Sequence, residues 1–138
     1  MGEGEKLALI VNTASYNRVS FALDVAIAAA AVGRGAAMLF GYGALLRLKK
    51  GNVDEVGDET EAWLREQIRS GLEKGSVPRI SEQLETFWKL GGKVYACPAA
   101  MALHNLIKDE LLEGVSEVCS VAGFLSRDAK DASTILYV

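Results

Sequence analysis

Short apolar runs of strand length alternate with longer segments of helical period along this chain, and that alternation restricts its fold more than any other feature. Residues 7–11 (LALIV) and 36–40 (AAMLF) are continuous apolar runs, as expected of strands covered on both faces. Between them, residues 19–32 carry Val19, Leu23, Ala26, Ile27 and Ala30 on one side and end at Gly33 and Gly35, which suit a helix stop. A strand, a helix and a strand in that order need a crossover, and crossovers join parallel strands. Residues 93–96 behind Gly91 and Gly92 give a third strand, residues 117–121 (EVCSV) a fourth closed by Ala122 and Gly123, and residues 133–138 (STILYV) a fifth. The chain therefore reads as an α/β protein with a five-stranded parallel sheet flanked by helices, one domain over residues 1–138.

The rhythm is interrupted between the second and third strands. Residues 44–50 (ALLRLKK) read as a short helix at the sheet rim, and residues 58–74 as a helix capped by Asp58 and broken near Gly71. Residues 80–90 resume helical spacing through Ile80, Leu84, Phe87 and Trp88. The segment 44–75 is thus a lid, an edge cover or a subunit contact, with the last preferred.

Composition narrows the function. The net charge is −3 and no basic cluster exceeds Lys49-Lys50, so neither nucleic acid nor an anionic membrane surface is expected as a partner. No apolar run reaches the roughly 18 residues that would suggest a membrane span, and residues 1–6 lack a signal-peptide layout, which points to the cytoplasm. Two cysteines, Cys97 and Cys119, lack C-x-x-C spacing and fit a reducing compartment.

Cys97 is the candidate working atom. It stands where the period changes, with a buried strand before it and apolar residues 99, 100, 102, 103, 106 and 107 at helical spacing after it. Pro98 suits the first helical position, which makes Cys97 the N-cap of a helix over residues 98–106. The free N–H groups of a first helical turn favour an anion, so a thiolate there is a candidate nucleophile. A buried cysteine that only packs is the plainer alternative.

Ligands of open parallel sheets bind beyond the carboxyl ends of the strands. The turns at 12–18, 41–43, Cys97 and 122–123 should therefore share one edge, with Asn12, Ser15, Arg18, Gly41, Tyr42, Pro98, Met101 and Gly123 as candidate binding residues. Arg18 is the candidate counter-charge for an anionic sulfur or a carboxylate. His104, the only histidine, lies seven residues past Cys97, on the order of 10 Å along a helix, beyond hydrogen-bond reach. That argues against a Cys-His hydrolase, and two cysteines with one histidine make a poor metal set, so no metal or cofactor is expected. Cys119, inside the fourth strand, reads as core.

These residues, in this order, resemble the DsrE/DsrF-like family of small sulfur-relay proteins, and in particular its single-chain branch named after peroxiredoxins. The features that carry the resemblance are the apolar first strand with its Ala-rich helix, residues 36–43 leading into leucine-rich 43–50, residues 92–97 with Met101 four beyond the cysteine, and the ending GVSEVCSVAGFLSRDAKDASTILYV. The resemblance implies a flavodoxin-like three-layer sandwich, a homo-oligomer (trimer or hexamer), and sulfur carried as a persulfide at the position of Cys97. Relatives in this branch often have a serine three residues after the cysteine, where this chain has Ala100. The expected function is a sulfur carrier or sulfurtransferase that exchanges sulfane sulfur with a donor or acceptor thiol protein. The alternative is a non-catalytic module binding a nucleotide-like small ligand at the same edge.

Overall fold

The computed structural model describes residues 5–138; Met1 to Gly4, part of the short charged start, lie outside the described residues. The chain runs β1 (Lys6–Val11), α1 (Tyr16–Ala31), β2 (Ala36–Phe40), a 3-10 helix (Tyr42–Leu48), α2 (Ala62–Lys74), α3 (Ile80–Lys89), β3 (Lys93–Ala96), α4 (Pro98–Leu103), β4 (Glu117–Val118), α5 (Val121–Ser126) and β5 (Ala132–Tyr137). All neighbouring strands are parallel, in the order β4-β3-β2-β1-β5. Right-handed crossovers between β1, β2 and β3 put α1 and α3 on one face, and the reversed step from β4 to β5 puts α5 on the other. The face under α1 and α3 carries Leu9, Val11, Met38, Phe40, Val94 and Ala96, all fully buried. On the opposite face the Phe124 ring of α5 meets Tyr95 edge-on, 5.9 Å between centroids. The expected flavodoxin-like α/β fold is the observed one.

Four readings of the helices change in the structure, each for an identifiable physical reason. Helix α1 begins at Tyr16 rather than Val19, because Thr60 Oγ1 accepts the Tyr16 N–H at 3.0 Å and supplies the missing partner from a distant loop. Helix α2 begins at Ala62, not at Asp58. The residues before it are spent elsewhere: the Glu59 carboxylate accepts the Gly57 N–H and pairs with Arg47 Nη2 at 3.3 Å. Gly71 does not break α2, which runs on to Lys74; a Cβ there would sit 2.3 Å from Val77, so the glycine lets the following turn pack tightly. Helix α4 stops at Leu103 because Asn105 turns left-handed (φ 54°), with Leu106 N–H bonded to Met101 O and Asn105 N–H to Ala102 O. That is the Schellman arrangement.

The interrupting segment is built into the core. Arg47 is fully buried and donates to the carbonyls of Ala14, Val53 and Glu55, while its guanidinium lies 5.2 Å from the Tyr16 ring centre. Burial pushes the Arg47 pKa down, and the Glu59 charge opposes that. Burial pushes Glu59 up, but hydrogen bonds from Thr60 and Gly57 and the Arg47 charge outweigh it and leave the carboxyl below its ordinary value. Segment 44–75 therefore clamps the β1-to-α1 turn. Among the large aromatics of the helices here, Phe87 is core and Trp88 is half-buried, while Trp63 is 71% exposed. Among the described residues no helix is long and apolar enough to cross a membrane.

Candidate functional site

The carboxyl edge of the sheet extends one step past the strands as a single row. Gly41 N–H bonds to Val11 O at 2.9 Å, Cys97 N–H to Phe40 O at 3.0 Å and Cys119 N–H to Ala96 O at 2.9 Å. Asn12, beside Gly41 in this row, bonds to Val138 O at 2.9 Å. Asn12, Gly41, Cys97 and Cys119 thus continue the register of Val11, Phe40, Ala96 and Val118. Of the turns that the sequence placed on one edge, Asn12, Gly41 and Cys97 meet in this row, while the fourth member is Cys119 and residues 122–123 lie in the helix beyond it.

A cavity of about 530 Å³ opens on that edge. Its floor is Ile10 and Leu39, its walls are Ala99, Ala100 and Leu103 of α4 with Val121 of α5, and Tyr137 of β5 closes one side. Asn12, Gly41, Tyr42 and Cys97 also line it, and none of the lining residues is charged. Asn12 Nδ2 donates to the Tyr137 hydroxyl, joining the first and last strands at the rim. The space beside the thiol at Gly41 is open: even a Cβ there would meet only the Cys97 Cβ, at 3.8 Å.

Cys97 is the N-cap of α4 with Pro98 at the first helical position, as the sequence indicated. Its side chain makes no capping hydrogen bond, and α4 is only six residues long. The thiol is nearly buried, so its access to solvent runs through the cavity.

The remaining candidates sit elsewhere. Pro98 is exposed and Met101 is packed into the core beneath α4. Ser15 is buried at the start of α1, where its hydroxyl donates to Asn17 Oδ1 at 2.7 Å. Arg18 is exposed on the first turn of α1 and does not line the cavity, so the expected counter-charge is not at the thiol. Gly123 is not a strand end; it lies in the first turn of α5, which begins at Val121 because Ser120 Oγ accepts the Gly123 N–H at 3.0 Å. That start also places Cys119 past the end of β4 rather than inside a strand.

Four contributors were missed from sequence. Tyr137 and Ile10 share one cross-sheet row with Leu39, a relation that strand alternation could have suggested. His104 reaches Tyr42 O through Nε2 at 3.0 Å and holds the cavity rim. Arg127 folds back from the end of α5 onto Cys119, and its hydrogen bonds to Cys119 and then Glu117 push its pKa up.

No family model and no curated relative matches the sequence. Among solved structures, the ychN protein from E. coli matches with a TM-score of 0.66 at 15% identity, over 97% of this chain and 99% of that one. A protein of unknown function, MTH1491 from Methanobacterium thermoautotrophicum, matches with a TM-score of 0.63 at 16% identity, over 96% of this chain and 98% of that one. Both have the DsrE/DsrF-like fold. This chain shares their overall architecture. At such identity the likeness speaks for architecture alone, and the chemistry must be argued from the residues.

Proposed function

We propose that the protein is a sulfur carrier or sulfurtransferase that holds sulfane sulfur on Cys97. The observation that supports this most directly is the setting of Cys97: the one thiol in the cavity lining, at the carboxyl edge of a parallel sheet, facing uncharged walls. The Cys97 thiolate attacks the outer sulfur of a donor persulfide, the donor S–S bond breaks, and the donor leaves as a thiolate. An acceptor thiolate then attacks the outer sulfur of Cys97–SSH and restores the Cys97 thiolate. Each step moves one neutral sulfur atom, and an apolar cavity suits a group so poorly hydrated. The shared DsrE/DsrF-like fold supports the same reading. A nucleotide-like ligand has less support, because the lining offers a phosphate no cation.

Assembly as a homo-oligomer belongs to this reading. Tyr42, Leu103, Val121 and Tyr137 line the cavity and are also exposed, and Ile107, Leu125 and Ile135 are exposed as well. Exposed apolar side chains on this scale suit contact with further copies, in the trimer or hexamer implied by the family resemblance.

Intact-mass spectrometry after exposure to inorganic polysulfide tests the carrier reading. The expected result is a gain of about 32 Da, one sulfur atom, that dithiothreitol removes. Cys97→Ser should abolish it, and Cys119→Ser should retain it. Equal adducts on both variants would end the assignment of Cys97.

A further inference from the structure

Cys119 has no part in the relay described above, yet its surroundings are not those of a filler cysteine. It is the neighbour of Cys97 in the edge row, because its N–H bonds to the carbonyl of Ala96, the residue before Cys97, one step past the Ala96 and Val118 pairing. Adjacent strands lie about 4.8 Å apart, and in-register neighbours direct their side chains to the same face. A disulfide spans Cα atoms about 4.4–6.8 Å apart, so the row spacing falls within its range. The Cys119 sulfur is also held: Arg127 Nη2 donates to it at 2.9 Å while Arg127 Nη1 pairs with Glu117 at 2.7 Å. The guanidinium stacks 5.9 Å from the Tyr95 ring centre, which fixes its direction. A guanidinium can only donate, so the sulfur is the acceptor in this contact. Gly123 keeps the other side of the sulfur clear, since a Cβ there would approach it to 3.2 Å.

We propose that Cys97 and Cys119 work as a thiol pair, in which Cys119, held by Arg127, closes a disulfide onto Cys97 and expels the group that Cys97 carries. For a persulfide, a step that rests on the carrier reading, the Cys119 sulfur attacks the inner sulfur of Cys97–SSH. The Cys119–Cys97 S–S bond forms, the bond to the outer sulfur breaks, and hydrosulfide leaves with that electron pair. The outer sulfur is reduced to sulfide and the two cysteine sulfurs are oxidised to the disulfide. An external thiol reductant resets the pair.

The pair is tested without sulfur loading by treating the reduced full chain with diamide, an azo oxidant that converts two thiols to a disulfide. The expected product is about 2 Da lighter, remains one chain, and yields a peptide linking positions 97 and 119. Two unlinked thiols, or disulfides only between chains, would overturn the proposal. Arg127→Gln should slow closure by about tenfold, the effect of losing one charge-assisted hydrogen bond; an unchanged rate would remove Arg127 from it. In a second arm the protein is loaded with inorganic polysulfide and the donor is removed. Wild type should then release sulfide and end as the disulfide, while Cys119→Ser keeps its adduct. Equally lasting adducts on both would overturn the pair and leave the carrier reading standing. If Cys119→Ser takes up no sulfur, the carrier reading fails, and the diamide arm still decides the pair.

Discussion

His104 Nε2 lies 3.0 Å from the carbonyl oxygen of Tyr42, tying the end of α4 to the loop that rims the Cys97 cavity. A carbonyl only accepts, so Nε2 carries the proton in this contact. Tyr42 is held left-handed (φ 45°), a backbone state that a tyrosine adopts at a cost, and the histidine helps to hold it there. His104→Ala should loosen the rim and raise the rate of Cys97 alkylation by iodoacetamide severalfold, with stability changed by less than about 1 kcal/mol. An unchanged rate would show that the rim does not limit access.

Gly41 tests whether the space beside the thiol is used. Its φ of −124° is open to any residue, and an alanine Cβ would make only an ordinary contact with Cys97. Gly41→Ala should load sulfur nearly as wild type does, whereas Gly41→Val, whose methyls extend toward the thiol, should load at least about tenfold more slowly at similar stability. Loading rates by intact mass and urea midpoints on the same samples separate the two effects.

Arg47→Met should be among the most damaging single changes. It removes the ion-pair partner of the Glu59 carboxylate and leaves the carbonyls of Ala14, Val53 and Glu55 without this donor inside a packed loop. Breaking such a pair from one side costs about 3–5 kcal/mol, which urea unfolding would read directly.

Tyr16 supplies an alkaline limit to stability. Burial, its largest cause, pushes the Tyr16 pKa up to about 12. In the unfolded chain it returns to about 10, so the neutral phenol's contribution is complete below pH 10 and is lost as pH rises toward 12. Wild type should lose stability relative to Tyr16→Phe by up to about 1.4 kcal/mol per pH unit in that window. Below it, Tyr16→Phe should be the less stable by about 1–3 kcal/mol, because the hydroxyl donates to Pro78 O at 2.7 Å and accepts the Ile80 N–H at 3.2 Å. Urea titrations at several pH values would show the crossing trends, and parallel curves would exclude Tyr16 as the titrating group.

Light scattering at micromolar concentration should give a mass above that of one chain. Leu125→Glu and Ile135→Glu, placed on exposed apolar positions, should lower it without unfolding the protein. A monomer mass for wild type would end the oligomer proposal.

What the sequence disclosed follows the range of the interactions involved. β3 and the cap at Cys97 were legible to the residue, because the signals are adjacent: a glycine pair, four strand residues, then Pro98. The start of α1 was misplaced because its cap is Thr60, and that of α2 because Glu59 and Thr60 bond to partners far from them in sequence. The arginines were illegible for the same kind of reason. A turn arginine looked available to the thiol but became a helix surface residue, while Arg127, eight residues beyond Cys119, folds back onto it. The cavity was the least legible feature, since its walls come from five strand and helix ends and its rim bond joins residues 125 positions apart.

The strand order also has a consequence for how the protein comes into being. β5 pairs with β1, Lys6 opposite Ala132 and Ile10 opposite Tyr137, so the first strand made waits for the last before its second edge is filled. Such pairings pay the largest loop-closure cost and form late. During synthesis the rest of the sheet can be in place while the Tyr137 wall of the cavity is missing and Cys97 faces water. The nascent chain thus passes through a stage in which its candidate nucleophile is unshielded, and docking of the final strand is the event that encloses it.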